Sequence, residues 1–205
     1  MSNAFFKYGF RLEKNLVKDL YCAPIVLAIG SKNKAQYLPI PWPYYPLAQP
    51  SSHLIGKGIS NIWFKFPSTI DTLKGITKKT VLVGTSDFSQ KVKIPINIDL
   101  KEASEKLIPS SFNQPSQNLG ILLSGTLLSA YENRIKPFKI DNHVDKGESE
   151  MIVYSDGTLA ENQIENGRNK FSILGNKLIF KANGTISRPV NIYKIVKLKV
   201  KLQLN

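Results

Sequence analysis

Residues 37–66, YLPIPWPYYPLAQPSSHLIGKGISNIWFKF, place four prolines within the eight positions 39–46. Proline fixes φ, has no backbone N–H and pushes the residue before it towards extended geometry. The stretch is therefore expected to exclude both a helix and a central strand. We predict a stiff extended segment between two sheet strands, carrying the rings of Trp42, Tyr44 and Tyr45.

These three rings have two interpretations. Either they form a platform that binds a carbohydrate or a peptide, or they pack against the sheet. Rings held between prolines lose little conformational entropy on packing, which favours the second interpretation. The sequence leaves both open, so Trp42, Tyr44 and Tyr45 are candidate residues of a ligand or partner surface.

Outside this stretch, apolar runs of strand length alternate with short segments of helical spacing. The spacing predicts a helix over residues 11–20 and shorter helices over residues 101–106 and 126–133. Continuous apolar runs are typical of strands that are buried on both faces. The predicted fold is therefore α/β, a mostly parallel sheet with short helices. The predicted strands include residues 25–29, 81–85, 119–123 and 151–154.

Small and polar residues follow three of these strands. Ser86 and Asp87 follow the second, Ser124 follows the third and Asp156 follows the fourth. The carboxyl ends of parallel strands meet at one edge of a sheet, where functional groups gather. We expect these side chains, together with His53 from the loop after the prolines, to contribute to the candidate surface.

No catalytic motif accompanies these residues. Neither Ser124 nor Ser86 lies in a complete Gly-x-Ser-x-Gly elbow. His53 and His143 have no second ligand at metal spacing, and the sequence has no phosphate-binding glycine motif. We predict that the chain is not an enzyme and has no catalytic residue, metal or cofactor. A degenerate hydrolase- or amidotransferase-like site that includes Ser124 or Asp156 remains an alternative.

The charge is unevenly distributed. The chain has a net charge of +13, but nine of its 28 Lys/Arg residues and none of its 15 Asp/Glu residues lie in residues 168–205. The first 167 residues therefore carry 19 basic and 15 acidic residues, a net charge of +4. Because no nucleic-acid-binding signature accompanies the basic tail, we predict no nucleic-acid partner.

The length of 205 residues suits one domain with an appendage. The sequence has no signal peptide and no apolar run long enough to span a bilayer. Cys22 is the single cysteine and lies in an apolar run, which predicts an inert, partly buried thiol.

Several short blocks lie in order between residues 5 and 168. They are Tyr8-Gly9, Asn15-Leu16-Val17-x-Asp19-Leu20, Cys22-x-Pro24-Ile25, Trp42-x-Tyr44-Tyr45-Pro46-Leu47, Ser52-His53, Ser68-x-Ile70-Asp71, Lys78-Lys79-Thr80-Val81-Leu82, Asn133-Arg134-x-Lys136-Pro137, Met151-Ile152-Val153-x-Ser155-Asp156-Gly157 and Asn162-Gln163. In this order and spacing the chain resembles the gliding-motility-associated ABC-transporter auxiliary proteins of Bacteroidetes, the GldG-like family.

The resemblance implies part of a glutamine-amidotransferase-like, flavodoxin-like sandwich that lacks the catalytic cysteine of that superfamily. It implies an accessory, substrate-binding component at the periplasmic face of the inner membrane, within a membrane-anchored parent protein. The implied partners are an ABC permease, an ATPase and an exported ligand, in gliding motility and export. The resemblance carries no catalytic residue over to this chain.

The chain departs from this family at both ends. The family has an upstream membrane segment, so residues 1–4 are either a cloning remnant or an internal start within a longer protein. Residues 168–205 are acid-free. We therefore divide the chain into an extracytoplasmic domain, residues 1–167, and an irregular, basic, β-prone tail. This tail is either a strand or hairpin or the product of a shifted reading frame, and we predict that residues 190–202 pack poorly.

Overall fold

The computed structural model describes residues 2–30, 36–129, 131–139 and 141–159, with only the backbone of residues 2–4. Beyond residue 159 it describes the backbone of four short strands. One helix, α1, spans Ser2–Lys7, and 3₁₀ helices span Leu100–Ser104 and Pro109–Ser111. The strands are β1 Phe10–Leu12, β2 Asn15–Asp19, β3 Cys22–Ile29, β4 Gln36–Pro50, β5 Ile62–Trp63, β6 Ile70–Thr72, β7 Lys78–Gly84, β8 Ser89–Lys93, β9 Asn118–Leu128, β10 Lys146–Tyr154, β11 Gln163–Glu165, β12 Arg168–Lys170, β13 Ile179–Phe180 and β14 Ile186–Ser187.

The main sheet has the strand order β10-β9-β7-β4-β3, with β5 paired to β4. Every strand pair that the structure describes is antiparallel. The predicted α/β fold with a mostly parallel, flavodoxin-like sheet is therefore wrong. Apolar runs indicate burial but carry no information about strand direction, and two of the three predicted helices are strands.

The proline-rich stretch is itself a strand. Residues 36–50 are extended, as predicted, but β4 lies between β3 and β7, so the exclusion of a central strand is wrong. Pro24 of β3 faces Pro41 of β4, and neither residue has an N–H to exchange. Antiparallel pairs alternate between hydrogen-bonded and non-hydrogen-bonded, so Val26 opposite Pro39 is also of the non-hydrogen-bonded kind. Pro39 and Pro41 therefore occupy positions at which β3 requires no donor from β4.

The pairing of β4 changes partner along its length. Its first part, through Pro41, pairs with β3 alone among the described strands, whereas Gln49 and Pro50 pair with β7. Between these parts the carbonyl of Pro46 accepts the N–H of Phe64, and that of Tyr44 accepts the N–H of Phe66. The β3–β4 hairpin consequently extends beyond the edge at which β7 ends.

Strand β9 is covered on both faces, and β7 lies beside it in the cluster that contains Leu82. One face packs on strands β2, β4 and β5, and the other on α1, β1 and β6. The first cluster includes Phe64, Leu82, Leu119 and Leu122, and the second contains Phe10, Ile70, Ile121 and Leu123.

Two predicted helices are strands. In place of the helix predicted over residues 11–20, β2 buries its alternate residues Asn15, Val17 and Asp19. Two of these inward residues are polar, so a pattern based on apolar residues misses the period of two. The helix predicted over residues 126–133 is also wrong, because β9 continues through Leu128 against β10.

Other local predictions are confirmed. The short helix predicted over residues 101–106 is present as a 3₁₀ helix over Leu100–Ser104, and Asp99 caps its start. Strands β3, β7, β9 and β10 lie where apolar runs predict them. The proposed division at residue 168 remains a prediction, and the expected poor packing of residues 190–202 concerns residues outside the described part.

Candidate functional site

One edge of the main sheet brings several candidate residues together. At this edge β7 and β10 end and β9 begins, because Gly84 pairs with Asn118 and the N–H of Ser155 donates to Leu119. Ser86, Asp87 and Asp156 therefore follow strands that end at this edge. The middle of β4 crosses the same edge, and we call the whole the β7/β10 edge.

Trp42 and Tyr44 lie inside the protein rather than on this edge. The exposed fraction is 2% for Trp42 and 0% for Tyr44, and their ring centroids are 5.3 Å apart. The hydroxyl of Tyr44 donates to Glu102 Oε2 at 3.1 Å, and Lys18 Nζ donates to the same oxygen at 3.3 Å. Lys18 Nζ also lies 4.4 Å from the Tyr44 ring centroid. Burial raises the pKa of Tyr44, so this phenol is held as a neutral donor.

Three other rings reach the surface next to this buried pair. Tyr45 and Trp63 are half-buried, and Phe66 is 39% exposed. Tyr45 lies with ring centroids 5.7 Å from Trp63 and 5.2 Å from Phe66, while Lys65 Nζ lies 4.8 Å from the Trp63 centroid. We call Tyr45, Trp63, Lys65 and Phe66 the aromatic cluster.

Phe66 has an uncommon backbone conformation for an aromatic residue. Its φ is +48°, in the left-handed region that non-glycine residues rarely occupy. The N–H of Phe66 donates to the carbonyl of Tyr44, and its ring contacts Tyr44 and Tyr45. These contacts stabilise a conformation that costs on the order of 1 to 3 kcal/mol.

Asp156 connects the aromatic cluster to the end of β10 through hydrogen bonds. Its Oδ2 accepts the N–H of Lys65 at 2.9 Å, and its Oδ1 accepts both the N–H and the hydroxyl of Thr158 at 2.7 Å. The carboxylate therefore closes the turn after β10 and binds the segment that carries Trp63 and Phe66. Burial, followed by the nearby charge of Asp156, raises the pKa of Tyr45.

Ser86 belongs to a second carboxylate site, centred on Asp19. Asp19 Oδ1 accepts the hydroxyl of Ser86 at 2.6 Å and the N–H of Tyr21 at 2.8 Å, while Oδ2 accepts the N–H of Ser86 at 2.7 Å. Asp19 is fully buried, and this burial raises its pKa despite the three donors. Asp87 is exposed beside this site.

Asp19 is the residue that the sequence-based candidates missed. The helix predicted over residues 11–20 includes Asp19 and so places it away from the predicted strand ends. A reading of residues 15–19 with a period of two would have placed it on an inward face, since Val17 lies two positions before it.

Ser124 and His53 lie away from the other candidates. Ser124 is in the interior of β9, opposite Glu150 and Lys78, rather than at a strand end. It is five residues along β9 from Leu119, the neighbour of Ser155, which corresponds to about 17 Å. His53 is half-buried, and its Nδ1 accepts the N–H of Ile55 within its own turn. The register therefore does not bring Ser124 to Asp156.

The remaining chemistry of the described residues is limited. Among them, no group of three or more His, Cys, Asp or Glu side chains is placed to hold a metal ion. Cys22 is half-buried, as predicted, and burial raises the pKa of its thiol to about 12. No helix in the described ranges is long and apolar enough to cross a membrane.

The fold and the site define an antiparallel β-sheet domain whose buried carboxylates accept hydrogen bonds from its own backbone. The chain belongs to the family described as ABC-type uncharacterized transport system, whose model matches residues 1–183. Members of this family are auxiliary components of an ABC-type transport system. The match includes residues 168–183, the first part of the basic tail.

Neither a curated protein nor a solved structure matches the chain.

Proposed function

We propose that the chain is a non-enzymatic, extracytoplasmic accessory subunit of an ABC-type transport system linked to gliding motility and export. Its partners in this proposal are the permease and ATPase subunits at the periplasmic face of the inner membrane. The family match over residues 1–183 is the observation that carries the proposal. The resemblance to the GldG-like family supports its finer part.

The hydrogen bonding of the candidate residues supports a role without catalysis. Asp19 and Asp156 each accept three hydrogen bonds from neighbouring backbone and hydroxyl groups, which is a common structural use of a buried carboxylate. A general acid or base instead needs an oxygen directed at a substrate.

Co-purification of the full chain with the permease and ATPase tests this proposal. We expect the tagged chain to retain both subunits through a detergent wash, and a tagged unrelated β-sheet protein to retain neither. Recovery of the chain without either transporter subunit, from cells that express all three, would contradict the proposal.

The aromatic cluster supports a second candidate function, the binding of an exported carbohydrate or peptide. Half-exposed aromatic rings stack on sugar rings and on extended peptides, and Lys65 adds a donor beside Trp63. The surface differs from the one predicted, because Trp42 and Tyr44 are buried and Trp63 and Phe66 take their place beside Tyr45.

Glycan and peptide arrays test this second function. We expect a signal that Trp63→Ala removes and that Tyr131→Ala, at a ring exposed elsewhere to 37%, leaves intact. Signals that are equal for the wild type and Trp63→Ala would exclude the aromatic cluster as the binding site.

A further inference from the structure

The distal part of the β3–β4 hairpin has one face made of apolar side chains alone. Residues opposite each other in an antiparallel pair point to the same side of the sheet, and so do residues two apart along a strand. The register therefore puts three cross-strand pairs on one face, and all six residues are exposed, Val26 to 64% and Tyr37 to 74%. We call this the hairpin face: Pro24 with Pro41, Val26 with Pro39 and Ala28 with Tyr37.

The other side of the same hairpin is packed. Ile25, Leu27 and Ile40 contact the cluster that contains Trp42 and Tyr44. The hairpin is thus held in place through one side, and its other side is open. In antiparallel sheets with one solvated face, that face is normally polar. A contiguous exposed apolar face instead marks a site of interaction.

The size of the hairpin face favours a lipid surface over a protein partner. A stable protein interface takes roughly 20 to 30 residues from each side, whereas this face has six. Binding at the interface of a bilayer requires only a few apolar side chains that enter the headgroup boundary, aided by attraction to anionic lipids.

The charge around the hairpin suits an anionic surface. Between Asp19 and Asp71 the sequence contains four lysines and no Asp or Glu. The hairpin face itself has no carboxylate, because Glu102, which contacts Tyr44, lies with the packed side, so the face meets no carboxylate of its own at a layer of anionic headgroups. Tyr37, the most exposed ring of the face, is of the residue type enriched at membrane–water interfaces.

The prolines of the hairpin face lower the penalty of removing water from it. Pro24, Pro39 and Pro41 have no backbone N–H, so the face has three fewer donors that would need a partner away from water. These prolines, which occupy non-hydrogen-bonded positions of the β3–β4 pairing, therefore suit a strand that contacts lipid.

We propose that the hairpin face docks on the surface of an anionic lipid bilayer, with the ring of Tyr37 at the level of the headgroups. This inference goes beyond the proposed function, because it requires neither a permease nor an exported ligand. It also assigns a role to the exposed part of the proline-rich segment, distinct from that of the aromatic cluster.

Co-sedimentation of the full chain with protein-free vesicles tests the proposal. The vesicles contain either phosphatidylcholine alone or equal parts phosphatidylcholine and phosphatidylglycerol. We expect binding to the anionic vesicles that falls at least about tenfold in Val26→Ser/Tyr37→Ser. The matched control is Leu54→Ser/Ile76→Ser, at apolar residues exposed to 80% and 73% elsewhere, which should bind as the wild type does.

A fluorescence measurement separates docking through this face from adsorption elsewhere. In Tyr37→Trp, brominated lipids should quench the new tryptophan, whereas in Leu54→Trp they should not. Absence of wild-type binding to anionic vesicles, or equal binding by Val26→Ser/Tyr37→Ser, would overturn the proposal. Binding that occurs only on native membranes, and is lost after these are treated with protease, would assign the face to a protein and also overturn it.

Discussion

Strand β9 and the β3–β4 hairpin are similar in sequence and opposite in environment. Residues 121–123 of β9 read ILL and residues 25–29 of β3 read IVLAI. In β9 all three residues are buried, with Leu123 at 0% exposure. In β3 the alternate residues Val26 and Ala28 are exposed. Two apolar runs of the same kind are therefore packed on both faces in one region and on one face in the other.

The difference comes from position in the sheet rather than from composition. Strand β9 lies between β7 and β10, and packed clusters cover both of its faces. Strand β3 is the last strand in the order, and the described residues cover only one of its faces. Apolar content thus shows that a strand can lose contact with water, whereas the topology determines which layer, if any, covers it.

The largest expected effect separates the two regions by stability. Leu123→Ala leaves a cavity in a closed core, which should lower the free energy of unfolding by about 2 to 5 kcal/mol. Leu38→Ala, at a hairpin leucine exposed to 44%, is the matched control and should cost less than about 1 kcal/mol. Urea unfolding of both variants measures the difference, and equal losses would mean that the hairpin is as closed as the core.

The second prediction compares the reactivity of a thiol at position 22, at the start of β3, with that of a thiol at position 26. Because burial raises the pKa of Cys22 from 9.0 to about 12, its thiolate fraction near neutral pH falls about a thousandfold below that of an ordinary thiol. In Cys22→Ser/Val26→Cys the new thiol stands on the exposed hairpin face. Ellman's reagent should label it far faster than Cys22, and the two proteins should react alike in denaturant. Similar rates in the native proteins would refute the exposure of the face.

The third prediction concerns the hydrogen bond between Tyr44 and Glu102, beside the cluster on which the hairpin packs. Glu102 accepts the Tyr44 hydroxyl and also completes the capping box with Asp99. Glu102→Ala should therefore lower the free energy of unfolding by about 1 to 2 kcal/mol. The neighbouring exposed Glu105→Ala is the control and should be close to neutral. Thermal unfolding measures both variants. An unchanged stability of Glu102→Ala would show that its hydrogen bonds do not stabilise the fold.

The smallest expected effect is a change in pH dependence at Asp19. Its pKa is raised above the ordinary value of 3.8, so the folded chain binds this proton more tightly than the unfolded chain does. The stabilisation by this group is therefore present at low pH and is lost as the pH rises through the raised pKa. In Asp19→Asn that loss should disappear, so the stability of the variant relative to wild type should rise with pH above about 4. Asp87→Asn, at an exposed carboxylate, is the control, and parallel stability curves for Asp19→Asn and wild type would contradict this prediction.

The sequence predicts which segments are strands better than it predicts how they pair. Strands β7, β9 and β10 follow from apolar runs because each run has the length of a strand. Their antiparallel pairing depends on contacts distant in the chain, such as Met151 with Leu123, which no local pattern contains. The polar inward residues Asn15 and Asp19 similarly conceal β2 from an apolar pattern.

The candidate site is predictable in part, because strand ends can be located from the sequence but strand pairing cannot. Ser86 and Asp156 follow strands that end at one edge, so their proximity to that edge follows from the strand ends alone. Ser124 does not lie at this edge, because β9 continues for four residues beyond it in its pairing with β10. Trp42 is buried and Trp63 reaches the surface because of the path that β4 takes through the sheet, which the sequence does not show.

The most direct test of the account measures stability and lipid binding on the same protein, Val26→Ser/Tyr37→Ser. If the hairpin face is a docking surface, the free energy of unfolding should stay within about 1 kcal/mol of wild type while binding to phosphatidylglycerol vesicles falls at least about tenfold. A loss of several kcal/mol in unfolding free energy with unchanged vesicle binding would show that the face belongs to the core, and would contradict the account.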